Sequence, residues 1–188
     1  MLKEILWQQK FGKIVDLMKH EKYILDIGCG IGYLYNFLLK NFSDNFIYYG
    51  IDSDFTFLKI AKKRGIQALL ADANKLPIKN KSISCCILSE VIEHLQNPDK
   101  SLSEAFRVLK KNKFVIIVVP NDLNFKLVWC ILFKFKTAFE DRGHVHKFTY
   151  KKLLYLCRKY GEISAEYGIP LNFPFSLCLN YIVKVEKL

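Results

Sequence analysis

The chain has 188 residues, and its 51% hydrophobic and 25% charged composition excludes an intrinsically disordered protein and predicts a single domain over residues 1–188. Lysine and arginine outnumber aspartate and glutamate by 29 to 18, and the net charge of +11 favours anionic partners, although scattered lysines are equally typical of a solvated surface. The six cysteines form no Cys-x-x-Cys pair and no apolar run approaches the roughly 20 residues of a membrane span, so we expect a cytoplasmic protein without a transmembrane segment.

Helical and strand-like patterns alternate along the chain. In chain order we expect a helix at Ile5–Lys19, a strand at Tyr23–Ile27, a helix at Tyr33–Leu39, a strand at Phe46–Asp52, a helix at Phe55–Arg64, strands at Ile66–Ala71 and Ile83–Leu88, a helix at Ser101–Lys110, a strand at Phe114–Val119, a helix at Tyr150–Tyr160, and strands at Glu162–Tyr167 and Asn180–Lys187. This alternation predicts an α/β fold with a doubly wound, mainly parallel, seven-stranded sheet and one antiparallel edge strand.

A glycine-rich loop, Gly28–Gly32, follows the first predicted strand and opens a helix. In doubly wound sheets ligands bind beyond the carboxyl ends of the strands, so this loop is placed to approach a ligand. Asp52 ends the second strand, where a carboxylate can bind both hydroxyls of a ribose. A dinucleotide loop has the spacing Gly-x-Gly-x-x-Gly, but Tyr33 occupies the third glycine position, which disfavours an NAD-linked dehydrogenase.

Several segments in the correct order resemble the motifs of the class I S-adenosylmethionine-dependent methyltransferases, in particular the small-molecule type 11 and type 23 members. The matching segments are Ile24–Gly32, Asp52, Asp72-Ala73 with Leu76-Pro77, Ser89–Leu95, Phe106–Lys110 and Val119–Asn121. One departure is the turn at Lys110–Lys113, which lacks the usual Pro-Gly-Gly.

The resemblance implies S-adenosylmethionine as cofactor. Asp26 would orient the glycine loop and the amino group of the methionine moiety, Asp52 would bind the ribose, and Asp72 the adenine amine, whereas Asp26 and Asp72 could alternatively be ordinary strand-end caps. The full set of expected cofactor-binding residues is Asp26, Gly28, Cys29, Gly30, Gly32, Asp52, Ser53, Asp72, Ala73 and Ser89.

Two histidines precede the last predicted helix, at a position that lies near the reactive methyl group in this family. Histidine is the natural general base for an oxygen acceptor, which makes His144 and His146 the candidate catalytic residues. His144 matches a histidine that often precedes a Phe-Thr pair in small-molecule members. The alternative role for His144 is to hold the loop by a backbone hydrogen bond, and Thr149 is placed to cap the helix.

A second set of residues suggests a metal site. Glu90, Glu93 and His94 would share one face of a helical turn and, with His146, would offer two carboxylates and two imidazoles to Mg²⁺ or Mn²⁺. The pattern looks like that of small-RNA 3′-terminal 2′-O-methyltransferases, and a related cluster appears in ubiquinone-pathway O-methyltransferases. The alternative is that Glu93-His94 packs against the cofactor loop without a metal, as in many family members.

An insertion at about residues 121–148 would form a lid over the acceptor. Its apolar centre within Asn124–Lys136, flanked by lysines, would also suit a helix in peripheral contact with a membrane interface. The loop Ile169–Cys178 could line the same pocket. The leading hypothesis is methylation of an oxygen, and less so a nitrogen or carbon, of a small or lipid-like molecule. The alternatives are metal-assisted 2′-O-methylation of an RNA 3′ end and a non-catalytic, cofactor-binding partner subunit.

Overall fold

The computed structural model describes residues 2–41, 45–131, 143–170 and 174–188. Over these residues the elements are α1 Leu2–Met18, β1 Tyr23–Ile27, α2 Tyr33–Asn41, β2 Ile47–Asp52, α3 Phe55–Lys63, β3 Gln67–Leu70, β4 Ile83–Ser89, α4 Pro98–Val108, β5 Leu109–Pro120, α5 Asp122–Ile131, α6 Tyr150–Cys157, β6 Glu162–Ile169 and β7 Asn180–Glu186. A short 3₁₀ turn, Phe175–Leu177, precedes β7. In the described ranges no helix combines the length and the hydrophobicity that crossing a bilayer requires.

The strands form one mixed sheet in the order β3-β2-β1-β4-β5-β7-β6. The pairs from β3 to β5 are parallel, whereas β7 runs antiparallel to both β5 and β6. The predicted doubly wound, mainly parallel sheet with an antiparallel strand at one side is therefore confirmed, and β6 is the outermost strand there. The order reverses at β1 and β4, which places a crevice beyond their carboxyl ends.

Hydrophobic residues cover both faces of the sheet. Successive side chains on a strand point to opposite faces, so Leu25 and Ile24 of β1 belong to different core clusters, as do Cys86 and Cys85 of β4. Six consecutive residues of β4, Ile83–Leu88, are buried because helices pack on both sides of this central strand.

Two local predictions have different outcomes. Thr149 caps α6, and its hydroxyl accepts a hydrogen bond from the Lys152 N–H at 3.3 Å, as expected. The predicted helix end at Lys110 is wrong, because α4 ends at Val108 and β5 begins at Leu109, which pairs with Ile83. In the turn that lacks Pro-Gly-Gly, Asn112 adopts the left-handed conformation, at φ +56°, that asparagine tolerates better than most residues.

Candidate cofactor and acceptor site

A pocket of about 420 Å³ lies beyond the carboxyl ends of β1, β2 and β4. This volume falls within the range of small-molecule binding sites. Six of the residues expected to bind a cofactor line it: Gly28, Gly30, Asp52, Ser53, Asp72 and Ala73. The pocket therefore brings together the glycine loop, the end of β2 and the segment after β3.

The backbone of the glycine loop passes very close to the pocket wall. Gly28 has a φ of +77°, and a Cβ at this position would lie 2.4 Å from Val91 Cγ2. Gly30 has a φ of +52°, but a Cβ there would have no neighbour within 4 Å. Gly28 is thus required by packing, whereas Gly30 leaves open space in which a ligand can approach the backbone.

The carboxylate of Asp52 is tied to this loop. Its Oδ2 accepts a hydrogen bond from the Gly30 N–H at 2.8 Å, and its Oδ1 accepts one from the Asp54 N–H at 2.9 Å. Both bonds are to a charged group and therefore stronger than average. They hold an anionic side chain in a defined orientation at the mouth of the pocket.

Asp72 follows β3, the strand next to β2, and also lines the pocket. Its Oδ1 accepts hydrogen bonds from the backbone N–H and the side-chain amide of Asn74, at 2.8 and 3.1 Å. Such a turn is the alternative structural role expected for a strand-end aspartate. Because Asp72 and Ala73 also line the pocket, the turn presents this segment to a ligand.

Four of the expected cofactor residues do not line the pocket: Asp26, Cys29, Gly32 and Ser89. Asp26 is buried and accepts a hydrogen bond from the Tyr48 hydroxyl. Burial raises the pKa of Asp26 to about 7, against the lowering effect of Tyr48, and nearby Asp52 raises it further. Asp26 thus lies behind the glycine loop, where a residue that orients the loop is expected. It does not line the pocket, so its position does not imply contact with a ligand there.

The other three positions have packing environments. The Cys29 sulfur lies where a Cβ on Gly50 would approach it at 2.7 Å, and a Cβ on Gly32 would lie 2.3 Å from Ile66 Cδ1. Ser89 is the last residue of β4. Close packing of the loop on β2 and on Ile66, the residue before β3, therefore accounts for Cys29 and Gly32.

Six residues of the pocket wall were not among the site residues expected from the sequence: Ile51, Asp54, Phe57, Ala71, Val91 and Leu95. Asp54 caps α3 and accepts hydrogen bonds from the N–H groups of Thr56 and Phe57. An aspartate two residues beyond a strand-end acid, just before a helical pattern, is a recognisable N-cap signal. It would have placed Phe57 in the first turn of α3, at the pocket.

Beside the pocket, three side chains offer ligand atoms that lie within 4.8 Å of one another: Glu93, His94 and His144. His94 also lines the pocket, and its ring lies 4.8 Å from that of His144. Asp122, the second residue after β5, holds His144 through an Nδ1 to Oδ1 distance of 2.8 Å. Sequence reasoning missed Asp122, although its place after a parallel strand predicts that it lies at the ligand edge of the sheet.

Glu93 is buried, with 1% of its surface exposed. Within the described residues neither carboxylate oxygen has a hydrogen-bond partner. Burial raises the pKa of Glu93 to about 8, and the negative charges of Glu90 and Asp122 act in the same direction. The ionised form of this buried side chain is therefore costly without a partner, which marks the position as more than a packing site.

The two remaining members of the expected metal set have other partners. Glu90 adopts a φ of +58°, so the expected helical turn over Glu90–His94 does not form, and Lys10 and Asn180 donate hydrogen bonds to its Oε1 at 2.9 and 3.0 Å. His146 Nε2 lies 3.4 Å from the carbonyl oxygen of Gln96. Of the expected set, the structure therefore brings Glu93 and His94 together, with His144 rather than His146 beside them, and Glu90 bonded to α1 and β7.

The expected lid is described in part. Helix α5 forms its beginning, and residues 132–142 lie outside the described residues. Asn124 joins α5 to the segment before β7, because its Nδ2 donates to the carbonyl oxygens of Ser176 and Cys178 at 2.6 and 3.0 Å. Leu123, Leu127 and Ile131, spaced four residues apart on one face of α5, are 76%, 54% and 64% exposed.

Residues 25–117 match the family described as "Methyltransferase domain". An uncharacterised protein of Methanocaldococcus jannaschii is 35% identical over 99 residues, which cover 52% of this chain and 45% of the relative. The chain spans less than half of the length of the first curated relatives that it matches.

Two named relatives are enzymes. The Arabidopsis thaliana tRNA (carboxymethyluridine(34)-5-O)-methyltransferase is 33% identical over 113 residues, which cover 58% of this chain and 27% of that protein. The demethylmenaquinone methyltransferase of Protochlamydia amoebophila is 25% identical over 169 residues, which cover 76% of this chain and 69% of that protein.

Among solved structures, the chain is similar to an S-adenosylmethionine-dependent methyltransferase of Thermotoga maritima. The TM-score is 0.76 at 21% identity, and the match covers 97% of this chain and 89% of the other. At this identity the likeness shows a shared fold, which extends well beyond residues 25–117.

Proposed function

The chain contains a class I S-adenosylmethionine-dependent methyltransferase domain, and from this premise we propose that it transfers a methyl group from S-adenosylmethionine to an oxygen of a small or lipid-like molecule. The observation that carries the proposal is the pairing of Asp52 with Gly30 at the mouth of the pocket. This hydrogen bond places the Asp52 carboxylate, which can bind ribose hydroxyls, next to the open backbone surface at Gly30.

The residues present fit this cofactor. The space over Gly30, which a Cβ would enter without meeting another atom, can accommodate the methionine moiety, and Asp52 can accept hydrogen bonds from both ribose hydroxyls. Asp72, Ala73, Phe57 and Leu95 would enclose the adenine. Ser53 would lie beside the ribose, and Asp26 would support the loop from behind.

When bound, S-adenosylmethionine supplies an electrophilic methyl group on a positively charged sulfur. The chain must hold the acceptor oxygen in line with that methyl group and receive the hydroxyl proton. His94 and His144, with Glu93 next to them, provide nitrogen and carboxylate groups at the pocket edge for this purpose. Asp122 fixes the orientation of the His144 ring.

Two observations support a lipid-like acceptor. The face of α5 formed by Leu123, Leu127 and Ile131 is exposed next to the segment that precedes β7, in which Leu177 is 55% exposed. Adjacent exposed apolar groups are typical of surfaces that contact lipid or apolar ligands. The demethylmenaquinone methyltransferase relative acts, by its name, on a quinone. Peripheral contact with a membrane surface is part of the same proposal.

RNA is the second candidate acceptor. The net charge of +11 suits a polyanion, and the Arabidopsis thaliana relative is named as a tRNA O-methyltransferase.

The cytoplasm is the proposed location of the protein. All six cysteines are free thiols, which supports a reducing compartment.

Transfer of labelled methyl from S-adenosylmethionine into fractionated cell extract tests the proposal. We expect label in lipids or small molecules, and the Asp52→Ala variant should abolish it. Label confined to RNA would replace the acceptor class, and label whose transfer is unchanged in Asp52→Ala would contradict the cofactor site. Tight cofactor binding without any label would indicate a non-catalytic or partner-dependent subunit instead.

A further inference from the structure

We propose that Glu93, His94 and His144 form a binding site for a divalent first-row transition-metal ion, zinc or manganese, at the edge of the cofactor pocket. Their ligand atoms lie within 4.8 Å of one another, and His94 belongs to the pocket wall. The binding of the ion stands on these residues alone. Only its action on an acceptor rests on the proposed function.

The buried carboxylate points to a ligand. Glu93 is 1% exposed, and among the described residues neither of its oxygens has a hydrogen-bond partner. Nearby Glu90 and Asp122 add negative charge, and the positive charge of Lys10 opposes them with the smallest of these effects. A cation bound by Glu93 would give the ionised carboxylate a partner and offset the neighbouring negative charges.

The histidines have the arrangement of metal ligands. A ligating histidine almost always donates its second ring N–H to a carboxylate or carbonyl, which fixes the ring and raises the basicity of the ligating nitrogen. His144 Nδ1 meets Asp122 Oδ1 at 2.8 Å, and His94 Nδ1 meets the Gly143 carbonyl oxygen at 3.2 Å. These two contacts hold both imidazole rings beside Glu93.

The ligand types select the ion. Two imidazoles and one carboxylate suit zinc or manganese, whereas magnesium prefers oxygen ligands and water. Two atoms bound to one such ion at about 2.1 Å are at most about 4.2 Å apart, so a small side-chain rotation closes the set. His94 is the exposed member of the set, and its ring would have to shift relative to the Gly143 carbonyl oxygen. Three protein ligands would leave coordination positions open for an acceptor oxygen, and the ion would make the hydroxyl proton easier to remove, so that it could pass to water instead of to the histidines.

Titration of the metal-free chain with Co²⁺, followed by visible absorption, tests this site. We expect one equivalent to bind and to be displaced by Zn²⁺ but not by Mg²⁺. Glu93→Gln and His144→Ala should each weaken binding by more than the about 10–100-fold that the Asp122→Asn variant loses, because they remove a ligand rather than the group that orients one. The matched control is His146→Ala, which removes a neighbouring histidine outside the set and should bind Co²⁺ like the unmodified chain.

Equal Co²⁺ affinity in the unmodified chain, Glu93→Gln and His144→Ala would overturn the proposal, as would loss of binding in His146→Ala alone. Thermal unfolding of each variant separates loss of the site from loss of the fold, and His94→Ala gives a ligand variant at an exposed position. S-adenosylmethionine affinity, measured on the metal-free chain, keeps the two proposals apart. Cofactor binding without Co²⁺ binding rejects only the metal site, and Co²⁺ binding without cofactor binding rejects only the methyltransferase proposal.

Discussion

Asp52 Oδ2 accepts a hydrogen bond from the Gly30 N–H at 2.8 Å, which joins the end of β2 to the loop that follows β1. Asp52 reaches this position because β1 and β2 are parallel neighbours whose ends lie side by side, with Asp26 opposite Gly50 and Ile27 opposite Ile51. The sheet thus sets the distance between the carboxylate and the loop before any ligand binds. A preformed site of this kind loses little free energy in ordering on binding.

Replacing Asp52 by alanine should weaken S-adenosylmethionine binding by at least about 100-fold, because two hydrogen bonds to a charged group contribute about 1.5–3 kcal/mol each. Isothermal titration measures this affinity. Asp16→Ala removes an exposed carboxylate whose ion pair with Lys13 is long, at 3.5 Å, and should leave the affinity unchanged. Equal affinities for Asp52→Ala and Asp16→Ala would remove Asp52 from the site.

Gly28→Ala should destabilise the protein. The left-handed backbone alone costs about 1–2 kcal/mol for alanine, and the new Cβ would meet Val91 Cγ2 at 2.4 Å. Gly12→Ala provides the opposite control, because Gly12 lies inside α1 and an added Cβ there would meet no atom within 4 Å, so this variant should gain about 0.5–1 kcal/mol. Chemical denaturation gives both free energies of unfolding. A neutral Gly28→Ala would show that the loop is not held against Val91.

Asp26 should make stability depend on pH. Its folded pKa of about 7 exceeds the ordinary value of 3.8, so the folded state binds the proton more tightly than the unfolded state. This contribution is fully present below pH 3.8 and is lost as pH rises through about 7. The free energy of unfolding should therefore fall less steeply between these values in Asp26→Asn than in the unmodified chain.

The Tyr48→Phe variant tests the cause of that dependence. The Tyr48 hydroxyl lowers the pKa of Asp26, so its removal should raise that pKa further and move the loss of stability to higher pH. Denaturation curves across this pH range report the shift. A shift to lower pH would mean that Tyr48 does not stabilise the ionised carboxylate.

The exposed face of α5 should contribute to contact with lipid. Leu127→Lys would place a charge at the centre of that face and lower the association with neutral lipid vesicles on the order of tenfold, the effect of one buried leucine. Leu39→Lys changes a leucine on α2 that is similarly exposed, at 57% against 54%, and should leave vesicle association unaltered. Equal losses in the two variants would point to a general effect of charge.

The sequence contains enough information to predict the sheet and the cofactor loop, because both depend on local patterns. Alternating hydrophobic periods mark the strands, and a loop at the end of β1 must lie in the crevice. The acceptor side was predicted less well. Which of His144 and His146 turns inward depends on Asp122, which is 22 residues from His144 in the chain. Likewise the left-handed conformation of Glu90, held by Lys10 and Asn180, cannot be inferred from the spacing of Glu90, Glu93 and His94.

A crystal structure of the chain with S-adenosylhomocysteine, the product left after methyl transfer, tests the central proposal most directly. We predict that both ribose hydroxyls donate hydrogen bonds to Asp52, that the adenine lies between Phe57 and Leu95 beside Asp72, and that the sulfur points toward His94. A ligand bound elsewhere, or a ribose without contact to Asp52, would contradict the assignment of this pocket to S-adenosylmethionine.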